Sequence, residues 1–264
     1  MIKYLKVESF TRTRDMAGHS KFKNIMHRKG AQDKKRAKLF SRLIREISVA
    51  TKLGSPDPDS NPRLRTAINN ALSSNMTKDS IEKAVKKNSS DDDKNSIEEI
   101  VYEGFGPSGV AIIVESMTDN RNRSASEIRS TFSKFNGNLG ISGCVKHNFN
   151  RLGIISYSHK ISSFDVFFDF CASLDVVDII ENVETYEVLT NVELFHRTLD
   201  LLEKKFSLAK FSSLEWKPLN TIDVDNENDA KKLLSLLEKL EDLDDVQNIS
   251  SNFNINDSLM EKLI

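Results

Sequence analysis

AQDKKRAKLFSRLIREISVATKL, residues 31–53, reads as an amphipathic helix, because Leu39, Phe40, Leu43, Ile44, Ile47 and Ala50 recur at three-to-four spacing and form one apolar stripe. Lys34, Lys38, Arg42 and Arg45 step by four, four and three along the same segment, with Lys35 beside them, and this spacing assigns them to a solvated face. At about 1.5 Å of rise per residue the row extends roughly 16 Å, long enough to follow several phosphates. Gly54-Ser55-Pro56-Asp57-Pro58 ends the helix. Asn61 then caps a second helix with Pro62 at its first position and Leu64, Ala67, Ile68, Ala71 and Leu72 inward. Thr77 caps a third, with Ile81, Ala84 and Val85 inward, so residues 16–88 read as a small basic helical domain.

The near-neutral total charge of −1 over 264 residues hides an asymmetry. Residues 16–87 hold 17 Lys+Arg against 6 Asp+Glu, and residues 88–264 hold 17 against 31. Clustered cations release condensed counterions when they meet phosphates, so the pattern suits a polyanion-binding module on an acidic body. A basic domain that docks on its own acidic partner explains the same count. An apolar content of 38 % fits a soluble globular chain, and Cys144 and Cys171 match no paired metal-ligand spacing. No apolar run approaches the roughly 20 residues needed to span a bilayer, and residues 1–15 lack a secretory pattern. A cytoplasmic protein is expected, with residues 1–15 a disordered extension ahead of Met16.

Asn88-Ser-Ser-Asp-Asp-Asp-Lys-Asn95 is polar and unpatterned, which marks a linker. Beyond it the pattern predicts strands at 97–102, 110–115, 143–149, 152–157, 184–189, 208–216 and 245–251. Helices are predicted at 124–135, 163–174, 191–205 and 226–241, the last capped by Asp225 or Asn226. Strands separated by helices of this length call for βαβ crossovers.

Ahead of the first helix lies an arm rich in small residues, imidazole and cations: His19, Ser20, Lys21, Lys23, His27, Arg28 and Lys29. It suits a ribose-phosphate surface. Two histidines eight residues apart, without a Cys or third His nearby, make a poor metal set. Gly104-Phe-Gly-Pro-Ser-Gly109 matches the dinucleotide fingerprint in form only, since the next residues read as a strand and Pro107 lacks an N–H. A tight strand-to-strand connection is expected there. Asp119-Asn-Arg-Asn-Arg123 precedes a helix capped by Ser124, and Arg121 and Arg123 either grip nucleic-acid backbone or pair with acidic neighbours. The acidic runs 91–93 and 241–245 read as solvated faces without the register of a calcium loop, and no nucleophile with an adjacent base emerges. The chain reads as non-enzymatic, with no cofactor and no small-molecule substrate.

Several segments in order resemble the YebC family, which includes PmpR-type bacterial regulators and the mitochondrial translational activator of cytochrome oxidase. They are MAGHSKF (16–22), HRKGAQDKKRAKLFSRLIREI (27–47), PDPDSNPRLRTAI (56–68), NMTKDSIEKAV (75–85), YEGFGPSGVAIIVE (102–115), DNRNR (119–123), FSKFNGNLG (132–140) and EDLDDVQNI (241–249). Phe22 stands where the family usually has Trp, and Asn88-Ser89-Ser90 where glycines are common. The resemblance implies an α+β multidomain fold, a three-helix bundle followed by two ferredoxin-like α/β domains, one inserted in the other. The first of these would take residues 89–149 plus 218–264, and the insert 150–217. It further implies a regulator whose partner is DNA, or RNA and the ribosome. The expected contacts are the arm residues above together with Lys34, Lys35, Lys38, Arg42, Arg45, Arg63 and Arg65. On this reading Lys34→Glu, Lys38→Glu and Arg42→Glu together abolish binding and leave stability near wild type.

Overall fold

The computed structural model describes residues 32–88 and 97–263, with side chains described from Arg36 to Lys87 and from Ile97 to Leu263. The readings of the 1–15 extension and of the arm through residue 31 lie outside these residues, as does the 88–95 linker apart from Asn88, which ends a helix. Two compact units form. The smaller holds Ile68–Asn75 with Arg151–Glu215; the larger holds the described residues through Ala67, Met76–Asn150 and Trp216 onward.

Helix α1 spans Gln32–Leu53, α2 Pro62–Ser73 and α3 Lys78–Asn88. Asn61 caps α2 as the sequence predicts, its Oδ1 accepting the Leu64 N–H at 3.1 Å. Its amide nitrogen also donates to the carbonyls of Ala50 and Ser55, fastening the end of α1 to the start of α2. Thr77 accepts the Ser80 N–H at the head of α3.

In the larger unit, β1 (Glu98–Phe105) and β2 (Ala111–Thr118) form an antiparallel hairpin in the sheet order β3-β1-β2-β9, where β3 is Asn138–Leu139 and β9 Val246–Ser251. The glycine-rich segment is the turn between β1 and β2, with Ser108 (φ 59°) and Gly109 (φ 75°) in the left-handed region that a tight reversal demands. Helices α4 (Arg121–Lys134) and α7 (Glu227–Asp242) cover one face of the sheet, burying Ile112, Val114, Ile128, Phe132, Leu233, Leu236, Leu237 and Leu240 in a single cluster. Asn226 caps α7 by accepting the N–H groups of Asn228 and Asp229. Short strands β8 (Ile222–Asp223) and β10 (Phe253–Asn254) pair parallel, and α8 (Asp257–Leu263) closes the described chain.

The smaller unit runs β4 (Phe149–Ser158), α5 (Phe164–Ala172), β5 (Asp178–Glu181), β6 (Thr185–Asn191), α6 (Phe195–Phe206) and β7 (Phe211–Pro218), with β4 and β7 beginning or ending outside it. Its sheet order is β5-β6-β4-β7, and Tyr157, Phe167, Tyr186, Phe195 and Leu202 fill the core. Asn70 in α2 donates to the Ser212 carbonyl and accepts the Ser212 N–H.

The neighbouring pairs β1–β2, β2–β9, β4–β6 and β5–β6 are antiparallel, so β4 and β5, each antiparallel to β6, run parallel to one another and α5 makes the expected βαβ crossover with β6 lying between its strands. Three expectations are corrected. The chain succession in the larger unit, β-β-α-β and later β-α-β-β-α, differs from the β-α-β-β-α-β of the smaller one. Residues 143–148 form turns and a short 3-10 helix, Lys146–Asn148, and no strand, because the Glu103 carboxylate captures the N–H groups of Gly143, Val145 and Lys146 that a strand would pair. Helix α4 starts at Arg121 with Asn120 as its cap, accepting the Arg123 N–H, while Ser124 lies inside the helix with its hydroxyl on Asp245.

Candidate nucleic-acid interface

The basic helix α1 has two covered faces where the sequence shows one. Leu43, Ile47 and Ala50 are buried as expected, but Leu39 and Ile44 stand 42 % and 39 % exposed. The apolar stripe is therefore narrower than the periodicity suggests. On the other side, Val49 is buried and Lys38, Arg42 and Arg45 are half-buried against the end of α7 and the start of β9.

Arg42 donates through Nε to the Val246 carbonyl at 3.1 Å and through Nη2 to the Glu241 carbonyl at 3.0 Å. Arg45 Nη1 lies 2.6 Å from the Asp244 carbonyl, 3.1 Å from that of Met117 and 3.2 Å from Asp245 Oδ1. Lys38 Nζ pairs with Asp242 Oδ1 at 3.7 Å. The solvated-row reading is corrected here for Lys38, Arg42 and Arg45. The cause is the C-terminus of α7, whose last carbonyls lack intrahelical donors and carry the negative end of the helix dipole. A guanidinium with several fixed donors satisfies them better than water-filled space would. Burial, and for Lys38 also the neighbouring Arg42 charge, pushes the Lys38 and Arg42 pKa values down against the attraction of the acidic corner.

Asp245 is the centre of this corner. It is 4 % exposed, and Oδ2 accepts from Ser124 Oγ at 2.5 Å, Thr118 Oγ1 at 2.9 Å and Arg123 Nη2 at 3.0 Å. Burial pushes its carboxyl up, but the bonds from Ser124, Arg123 and Thr118 and the charge of Arg123 outweigh it and hold it below the usual carboxylate range. One carboxylate thus joins β2, α4, α1 and the α7–β9 turn. The solvated-face reading of 241–245 misses this junction. Its only legible trace is the pairing of basic and acidic segments of opposite net charge.

The remaining described cations divide. Arg63 makes a two-pronged pair with Glu46, at 2.7 and 3.2 Å, and a further one with Glu99. Burial opposes its charge, yet the bonds to Glu46 and Glu99 prevail and raise its pKa. Arg65 donates to the Pro58 carbonyl. Arg123 pairs with Asp119 and Asp245, which selects the acidic-neighbour alternative for that residue. Arg121 is exposed, with its carbonyl accepting the Tyr102 hydroxyl. Arg36, absent from the expected set, is exposed with its guanidinium 5.2 Å from the Phe40 ring centroid. The Arg-aromatic pair at i, i+4 is the signal that could have found it. Lys34 and Lys35 lie on α1 with side chains outside the described set, and His19, Ser20, Lys21, Lys23, His27, Arg28 and Lys29 lie outside it entirely.

Residues 20–91 match the model of the TACO1/YebC protein N-terminal domain, and residues 97–253 that of the TACO1/YebC second and third domain. The chain belongs to the TACO1/YebC family. Two similar relatives, from Rickettsia bellii strains RML369-C and OSU 85-389, are each named a probable transcriptional regulatory protein. Each is 46 % identical over 248 residues, covering 94 % of this chain and 98 % and 97 % of their own. A crystal structure of a conserved hypothetical protein from Aquifex aeolicus has a TM-score of 0.79 at 42 % identity, covering 84 % of this chain and 92 % of its own. A TACO1/YebC protein of mixed α and β structure follows, with relatives named as transcriptional regulators. No helix among the described residues is long and apolar enough to cross a membrane.

Proposed function

We propose that this TACO1/YebC protein is a non-enzymatic, cytoplasmic regulator of gene expression that binds nucleic acid through its N-terminal helical domain. One observation carries the reading. After Lys38, Arg42, Arg45, Arg63, Arg65 and Arg123 are assigned to acceptors within the protein, residues 16–36 still hold seven Lys+Arg against Asp33 alone. His19, Ser20, Lys21, Lys23, His27, Arg28, Lys29, Lys34, Lys35 and Arg36 form the binding surface, with Arg121 as an outlying cation. Lys38, Arg42 and Arg45 hold the helix that presents it. Residues 16–88 act as the binding domain, 89–149 plus 218–264 as the supporting α+β domain, and 150–217 as an inserted domain of ferredoxin-like succession.

The names of the relatives favour DNA as the ligand. Anisotropy titrations of labelled duplex DNA and of labelled RNA test this across a salt series. Tighter binding of DNA, weakening steeply with salt, supports the reading. Tighter binding of RNA, with ribosomal RNA enriched after crosslinking in cells, transfers the same surface to translation. Absence of binding to either at low salt overturns it.

A further inference from the structure

The acidic body contains one stretch of opposite character. Residues 128–164 carry Arg129, Lys134, Lys146, Arg151 and Lys160 without one Asp or Glu, although residues 88–264 together hold 17 Lys+Arg against 31 Asp+Glu. Inside the larger unit this stretch contains the loop from Gly140 to Asn148, between β3 and β4.

The loop is held rigidly from beneath. Glu103, 2 % exposed on β1, accepts the N–H groups of Gly143 at 2.7 Å, Val145 at 2.9 Å and Lys146 at 3.0 Å. Its own backbone carbonyl accepts the Gly140 N–H at 2.8 Å. Val145 and Phe149 are buried in a cluster with Ala111 and Ile113, on which Trp216 packs. Lys146 lies 3.8 Å from Glu103 and 5.7 Å from the Trp216 ring centroid, so its charge offsets the buried carboxylate. Asn148 is tied to the end of β7 by accepting the Leu219 N–H.

A buried carboxylate is costly to desolvate, and three N–H bonds plus a cation compensate it only while the loop keeps this shape. The device fixes the tip in space. At that tip Ile141 is 82 % exposed, with exposed Ser142 and Gly143 next to it in the chain; His147 is exposed near the far end of the loop, and Lys134 is exposed at the end of α4, ahead of β3. A single exposed apolar residue needs no explanation, but one held out by a charge-fastened loop inside a carboxylate-free stretch does. Apolar wedges flanked by cations are how proteins enter the stack of a nucleic acid: the cations meet phosphates and the branched side chain separates bases.

We infer that the Gly140–Asn148 loop is a second nucleic-acid contact, with Ile141 as a wedge and Lys134 and His147 toward the backbone. The inference rests on the nucleic-acid reading above. It is tested with the full chain on labelled single-stranded RNA and duplex DNA of equal length, titrated across a salt series, with 2-aminopurine as a reporter of unstacking. Ile141→Ser is expected to weaken binding roughly three- to tenfold with an unchanged salt slope and to abolish the 2-aminopurine signal. Lys134→Glu is expected to lower the salt slope by about 0.7 to 0.9 for the phosphate no longer neutralised, and His147→Ala to weaken binding with the slope unchanged. All three positions are exposed, so melting temperatures should match wild type. Arg36→Glu separates the two readings. If Arg36→Glu weakens binding and the loop variants bind like wild type, the loop inference falls and the N-terminal reading stands. If wild type binds neither nucleic acid, both fall. If the loop variants lose only association with a protein, the wedge is a protein contact and the inference is overturned.

Discussion

Arg36 and Arg42 stand on the same helix and meet opposite fates. Arg36 faces water beside Phe40, whereas Arg42 directs its donors to the carbonyls of Glu241 and Val246. The difference shows that a row of cations on one helix can divide into an exposed end and an anchoring end. Charge counting alone cannot find the division, because the acceptors are backbone carbonyls about two hundred residues away in sequence. Of the two explanations of the charge asymmetry, internal docking accounts for Lys38, Arg42 and Arg45, and the polyanion surface proposed above is left to the cations that precede them.

The sharpest way to break this comparison is at Asp245. Asp245→Ala leaves Arg45, Arg123 and the hydroxyls of Ser124 and Thr118 without their shared acceptor; the carboxylate is buried but both guanidiniums are partly exposed, so a cost of about 3 kcal/mol, the low end for breaking a buried pair from one side, is expected. Urea denaturation should show the midpoint falling accordingly; an unchanged midpoint would remove Asp245 from the centre of the fold. Arg42→Met should cost less, about 1–3 kcal/mol, through the loss of two charge-assisted bonds, while nucleic-acid affinity stays within twofold of wild type. A large loss of affinity with unchanged stability would return Arg42 to the binding surface. The triple change at Lys34, Lys38 and Arg42 accordingly lowers stability as well as binding.

Acid probes this corner and the loop fastened to Glu103 more gently. Burial raises the Asp245 and Glu103 carboxyls, but hydrogen bonds from Ser124, Arg123 and Thr118 in one case, and from the N–H groups of Gly143, Val145 and Lys146 in the other, carry both below the ordinary range. The unfolded chain then takes up protons at higher pH than the folded one. Their contribution is complete above the ordinary carboxylate pKa values, roughly pH 4, and is lost as pH falls through the depressed folded values. Denaturant midpoints measured from neutral pH to pH 3 should decline in that window, and Asp245→Asn should flatten the decline. The smallest stability effect belongs to Arg36→Glu, within about 0.5 kcal/mol of wild type, with weakened nucleic-acid binding as its one consequence.

The helices were legible because their apolar spacing is sustained over two or more turns. α1 to α7 lie within a few residues of where the pattern places them; the caps at Asn61 and Thr77 are read correctly from residue type, and of the two candidates for α7, Asp225 and Asn226, the cap is Asn226. The failures share a cause. At 143–148 and at Ser124, a buried carboxylate from elsewhere in the chain takes a donor that local pattern assigns to a strand or to a cap. β3, β5, β8 and β10 are two to four residues long, too short for an alternation to register. Within the candidate site, sequence located the cations but not their partners, so Lys38, Arg42 and Arg45 looked equivalent to Lys34.

The anchoring bonds of Arg42 to Glu241 and Val246 span 199 and 204 residues of sequence. During synthesis at roughly 5–20 residues per second, α1 is therefore complete for about 10–40 s before its acceptors are made. For that interval Arg42 lacks the acceptors it has in the folded protein, and the last turn of α7 together with the first residue of β9 supplies them.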